Sequence, residues 1–170
     1  MTESLQPDLQ SQVGDVVLAV SPIVADQRAL RAILSEWPTP LVTACTIEET
    51  VLRLLRAPAA VILCERDLPD GGWKQLFQRT ETLPRPPRFI VSSRLADEYL
   101  WVEVLNLGGQ DVLQTPFVAR EVRHAVRCAG DTWQRQWVPK AVRRMTVSAA
   151  SPATDATAPC AWLGAQRGVA

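Results

Sequence analysis

The stretch VILCERDLPDGGW, Val61 to Trp73, decides how this chain folds. With Ala59 and Ala60 before it, the run AAVILC (59–64) has the length and the branched apolar character of a strand buried on both faces. Three acids follow: Glu65, Asp67 and Asp70. Leu-Pro-Asp-Gly-Gly reads as a turn, because a short Asp side chain bonds its own backbone and glycine accepts conformations closed to other residues. Asp67 and Asp70 are therefore expected to build the turn. Glu65 alone stands at the carboxyl end of the strand.

Working outward, the same alternation repeats. DVVLAV (15–20) and LVTAC (41–45) read as strands, as do the end of RPPRFIVSS and the short DVLQ. Between them lie helical patterns. Leu30, Ile33, Leu34 and Trp37 share one stripe, with Asp26, Arg28 and Arg31 off it, and Pro38 stops that helix. Thr46 is placed to cap a second helix, with Glu48 and Glu49 in its first turn and Val51, Leu54 and Leu55 on its apolar side. WKQLFQR gives a short third helix, 95–107 a fourth ended by Gly108-Gly109, and 118–137 a fifth. Parallel strands need crossover connections, so five apolar strands alternating with five helices predict a doubly wound α/β domain with a parallel sheet over 15–137 and no antiparallel hairpins. Residues 1–14 read as a flexible lead. Residues 138–170, rich in Ala, Ser, Thr, Pro and Gly without a hydrophobic period, read as a disordered tail in which Trp162 and Leu163 are the apolar pair that could dock.

Composition excludes several classes. Hydrophobic residues make up 47% of 170, enough for a core, and 18 basic residues balance 18 acidic ones, so no net field favours nucleic acid. One segment is biased: Arg120, Arg123, Arg127, Arg135, Lys140, Arg143 and Arg144 face only Glu121 and Asp131, which reads first as a solvated helix face. The start lacks the basic-then-apolar order of a signal peptide and no apolar run is long enough for a membrane span, so a cytoplasmic protein is expected. Cys45, Cys64, Cys128 and Cys160 show no metal-like spacing, and Cys45 and Cys64 read as small core residues. With His124 the single histidine, a zinc site is not expected.

Ligands of open parallel sheets bind beyond the carboxyl ends of the strands. Those ends carry Ser21 and Pro22, Glu65, Ser92 and Ser93, and Thr115. The turn VSPIVAD contains no glycine-rich phosphate loop, and the rim holds one carboxylate among hydroxyls rather than an acid–base pair. His124 falls mid-helix, away from the rim. No enzyme is read here, and no catalytic residue.

The order of elements resembles the receiver domain of bacterial two-component response regulators, with the flavodoxin-like five-strand, five-helix fold. VILCERDLPDGGW is similar to the family's phosphoacceptor strand and its Leu-Pro-Asp-Gly turn, LGGQDVLQTPF to its Gly-Ala-x-Asp-Tyr-Leu-x-Lys-Pro-Phe stretch, and FIVSS to its fourth strand. VVLAVSPIVADQRALRAIL lines up without a gap against the first strand and helix. The resemblance places Glu65 where the family has its phosphoacceptor aspartate. Ser21 and Pro22 stand where two acids hold Mg²⁺, and Thr115 stands where a lysine contacts the phosphoryl group. Ser92 keeps the family's hydroxyl, while Val112 replaces its switching aromatic. A degenerate receiver is implied, with Glu65 not phosphorylated and Mg²⁺ binding lost, because Mg²⁺ needs several oxygen ligands and phosphoryl transfer needs cations.

The function expected is that of a stand-alone signalling module acting by protein–protein interaction. Its partner would be a sensor kinase or another signalling protein, or a second copy across the face of fourth helix, fifth strand and fifth helix. Tyr99, Trp101 and Val112 are the candidate interface residues, and Leu100, Val104 and Leu105 the other apolar positions of the fourth helix. Glu65 admits two readings: an imitation of a phosphorylated aspartate, which requires a bond to Ser92, or a solvated rim residue, the reading the sequence favours. A residual phosphoacceptor in a phosphorelay is the alternative function. Nucleic-acid binding through the basic stretch comes last, since no helix-turn-helix pattern follows.

Overall fold

Every residue of Ala59–Glu65 is buried, because this strand, β3, lies at the centre of a sheet covered on both faces. The computed structural model describes residues 16–137, so the expectations for 1–14 and 138–170 lie outside the described residues. Beside β3 run β1 (Val16–Val20), β2 (Leu41–Ala44), β4 (Arg88–Ser93) and β5 (Asp111–Gln114). All pairings in this sheet are parallel and the order is β2-β1-β3-β4-β5, the flavodoxin-like arrangement the sequence predicted. The helices are α1 (Val24–Ile33), α2 (Ile47–Arg56), α3 (Trp73–Glu81), α4 (Glu98–Asn106) and α5 (Ala119–Trp137).

Strand side chains alternate between faces, which divides the core in two. Leu18, Val20, Ile62, Cys64, Phe89 and Val91 pack with residues of α2, α3 and α4. Val17, Ala19, Val61, Leu63, Ile90 and Leu113 pack with α1 and α5. Trp73, Phe77 and Phe89 meet with ring centroids 5.3–6.4 Å apart on the first side. After α4 the chain turns at Gly108 with φ +95°, a left-handed conformation that glycine adopts without steric cost.

Four local expectations are corrected. Asp67–Leu68 pairs antiparallel with Gly71–Gly72, a two-residue ladder too short to show a period in sequence. Cys45 is exposed, because β2 ends at Ala44, whereas Cys64 is buried. Leu55 is 71% exposed, and the inward side of α2 is Ile47, Thr50 and Leu54. Asp26, read as off the apolar stripe, is buried at 9% exposure. Among the described residues no helix is long and apolar enough to cross a membrane.

Candidate functional site

The parallel register sets the residues of the carboxyl edge side by side. Glu65 pairs with Ser92, Ser92 with Leu113, and Ser93 with Gln114. Thr115 follows β5, its amide donating to the Ser93 carbonyl at 3.0 Å. Ser21 follows β1, its amide donating to the Ala44 carbonyl at 3.0 Å. Of the rim residues singled out by sequence, Ser21, Glu65, Ser92 and Thr115 are buried, while Pro22 is exposed.

Glu65 is the centre of this rim. It is only 6% exposed, and Ser92 Oγ donates to its Oε2 at 3.2 Å. A solvated rim carboxylate is thereby corrected: the end of β3 is enclosed by its neighbouring strands. Burial pushes the Glu65 carboxyl above the ordinary carboxylate range, the Ser92 hydrogen bond opposes this, and the nearby Asp26 charge adds to the rise. Arg94 draws it down and Asp67 pushes it up more weakly.

Asp26 is the residue that sequence reading missed. It lies in the first turn of α1, where an acid reads as a partner for the helix dipole. Instead its carboxylate is buried toward the rim, and Oδ2 has no hydrogen-bond partner among the described residues. Thr115 Oγ1 is likewise buried without a partner. The available signal was position: Asp26 lies in the first turn of the helix that follows the first rim residue. Ser21 is already engaged, since its Oγ accepts from the Ile23 amide at 3.1 Å and its carbonyl accepts from Gln27 Nε2 at 2.7 Å.

The other two acids leave the rim. Asp70 was expected to bond its own turn, and beyond this its carboxylate reaches α2, accepting the amides of Ile47 at 2.9 Å and Glu48 at 3.1 Å. Thr46 Oγ1 takes the Glu49 amide at 3.1 Å, so two residues far apart in sequence share the capping of one helix. Desolvation works against ionisation of Asp70, yet the Ile47 and Glu48 amides hold its carboxyl below its usual value. Asp67 pairs with Arg66 Nε at 3.0 Å on the surface. Among the described residues, no three carboxylate, thiol or imidazole groups converge as metal ligands.

Solved receiver domains superpose on this architecture. A signal receiver domain from Vibrio parahaemolyticus has a TM-score of 0.68 at 16% identity, covering 73% of this chain and 95% of its own. That of an HD domain-containing protein from Pseudomonas fluorescens Pf-5 scores 0.66 at 20%, covering 73% and 93%. A receiver domain protein from Methanospirillum hungatei JF-1 scores 0.64 at 19%, covering 72% and 98%. The chain has the receiver fold. No protein-family model and no curated protein matches it, so the likeness is one of architecture.

On the receiver fold the candidate interface residues separate. Tyr99 is 87% exposed and lines the α3 side of α4, whereas Trp101, 50% exposed, lies on the opposite side with Leu105. Leu100 and Val104 face the core between them. Val112 is half-buried and packs against the α2–α4 core. On α5, Arg120, Arg123 and Arg127 are exposed, but Arg123 Nε donates to the Ile33 carbonyl at 3.0 Å and Arg127 covers the Trp37 ring at 5.7 Å. Lys140, Arg143 and Arg144 lie outside the described residues.

Proposed function

We propose that this chain is a signalling module of the receiver fold that acts by binding another protein without passing a phosphoryl group. The observation that carries the reading is the buried Glu65 carboxylate accepting the Ser92 hydroxyl. That contact is what an imitation of a phosphorylated residue requires. It sets the Glu65 carboxyl against the hydroxyl of β4 without any phosphoryl group, which supports a rim that rests in one signalling state.

The surrounding groups support the absence of transfer. Mg²⁺ demands near-octahedral oxygen ligands, commonly with one or two carboxylates. Pro22 has no side-chain oxygen, and Ser21 Oγ already accepts the Ile23 amide. The donor set at these positions does not fit Mg²⁺ as the resembled family holds it. Thr115 is neutral and buried where a lysine would neutralise developing charge.

The partner surface begins at Trp101 and Leu105, apolar side chains that α4 leaves exposed on the side away from α3. A sensor kinase, another signalling protein or a second copy would cover them. Two measurements test the reading. Acetyl phosphate with Mg²⁺ should add no mass to the intact protein; a stable phosphoryl adduct abolished by Asp67→Asn would sink it. Sedimentation at micromolar concentration, with pull-down, should detect an association that Trp101→Ala weakens. A monomer that recovers no partner removes the support.

A further inference from the structure

We propose that the groove between α3 and α4 receives an amphipathic helix of a partner protein, one whose apolar face is flanked by lysine or arginine. The inference deepens the binding-module reading but uses the other side of α4. Tyr99, Val102 and Asn106 recur at helical spacing along that side, facing Phe77 and Glu81 of α3. The groove encloses about 810 Å³ and continues past Tyr99 and Lys74 into a recess of about 640 Å³ that reaches Arg66 and Asp67.

Its apolar character is unusual for a surface. A surface helix normally keeps its apolar residues in one stripe against the core. Around α4, Leu100 and Val104 meet the core, yet Tyr99, Val102 and Leu107 remain 87%, 51% and 45% exposed. Tyr99 offers a large side chain with few rotamers to fix, the kind of residue that dominates interface energetics.

Charge selects the occupant. The two recesses carry Glu81, Glu98, Glu103, Asp67 and Asp97 against Lys74 and Arg66. Both cations are engaged, Lys74 with Glu103 and Arg66 with Asp67. Glu81 and Glu98 have no ion pair among the described residues. A nucleic acid or an anionic lipid surface would meet this rim with like charge, whereas a helix bearing lysine or arginine beside its apolar stripe would complement it. α4 spans about 13 Å at 1.5 Å per residue, enough to seat between two and three turns of such a helix.

The probe is a fluorescein-labelled helical peptide with leucines at i, i+3, i+4 and i+7 and lysines beside them, against the same peptide with glutamates. Titrated into the full chain, the lysine peptide should bind saturably and about tenfold more tightly than the glutamate one. Amide shifts should map to α3 and α4. Tyr99→Ala, an exposed position whose melting curve should match the parent, should weaken binding about tenfold, and Glu81→Lys with Glu98→Lys should invert the charge preference. Trp101→Ala should leave peptide binding unchanged. Equal affinity for both peptides, no saturable binding, or indifference to Tyr99→Ala overturns the inference. Self-association that depends on Tyr99 also overturns it, naming a second copy as occupant. An intact Trp101-dependent association in any of those outcomes leaves the binding-module reading standing, and its loss alone leaves the groove.

Discussion

Glu65 and Asp70 belong to one short stretch, yet the fold treats their carboxylates in opposite ways. Glu65 is enclosed at the end of β3 with a single hydroxyl donor and another acid nearby, and its carboxyl is pushed up. Asp70 sits in the open turn, accepts two backbone amides of α2, and its carboxyl is held down. A carboxylate is cheap to keep where backbone donors converge on it and costly where burial outruns donors. The contrast separates scaffold from site: Asp70 fastens the turn to a neighbouring helix, while Glu65 is a charge retained at a cost to stability.

Removing the scaffold acid should give the largest effect. Asp70→Ala strips two donors at the α2 N-terminus of their acceptor, and capping losses of this kind cost about 1–2 kcal/mol. Thr46 still serves the Glu49 amide, so α2 should fray rather than vanish. Chemical denaturation should show a lower midpoint at an unchanged slope. Because the folded carboxyl of Asp70 titrates below its unfolded value, its contribution is present above the ordinary carboxylate range and is lost as pH falls through the folded value. The deficit of Asp70→Ala should therefore shrink in acid. A variant as stable as the parent near neutral pH would mean that water replaces Asp70 at those amides without loss.

Neutralising the site acid should act with the reverse sign. The folded Glu65 carboxyl titrates above its unfolded value, so the folded state is favoured by protonation. The stability linked to that proton is fully present below the ordinary carboxylate range and is lost as pH rises through the raised folded value. Glu65→Gln should consequently stabilise the chain near neutral pH by about 1 kcal/mol, the scale of one buried polar interaction, with the gain fading toward about pH 4. Thermal melts across that range would read it. A Gln variant less stable than the parent near neutral pH would show that Ser92 and Arg94 more than offset the desolvation.

The same contrast explains what the sequence made legible. Buried parallel strands announce themselves as continuous apolar runs, so β1, β3 and β4 and the order of elements could be read from VVLAV, AAVILC and FIVSS. The rim positions followed, because strand ends in such sheets are fixed by the runs themselves. Side-chain partners did not. Asp70 finds its donors 22 and 23 residues away, a tertiary cap that local turn chemistry imitates in sequence. Asp26 obeys the helix rule for an acidic first turn while its side chain points inward. Tyr99 and Trp101, two residues apart, fall on opposite sides of α4, and only the bounds of the helix reveal which side meets α3.

Asp26 offers the smallest and most selective break in the comparison. If part of the rise at Glu65 comes from the Asp26 charge, Asp26→Asn should stabilise the chain by about 0.5 kcal/mol near neutral pH, below the effect at Glu65 because desolvation of Glu65 remains. The new amide would also supply a donor where Asp26 Oδ2 now has no partner. Once Glu65→Gln has removed the neighbouring charge, Asp26→Asn should lose most of that benefit. A double-mutant cycle by denaturant titration isolates the difference, since two residues that repel each other give stabilisations that fail to add. Full additivity would mean that the two carboxylates do not sense each other, leaving burial alone as the reason Glu65 and Asp70 part ways.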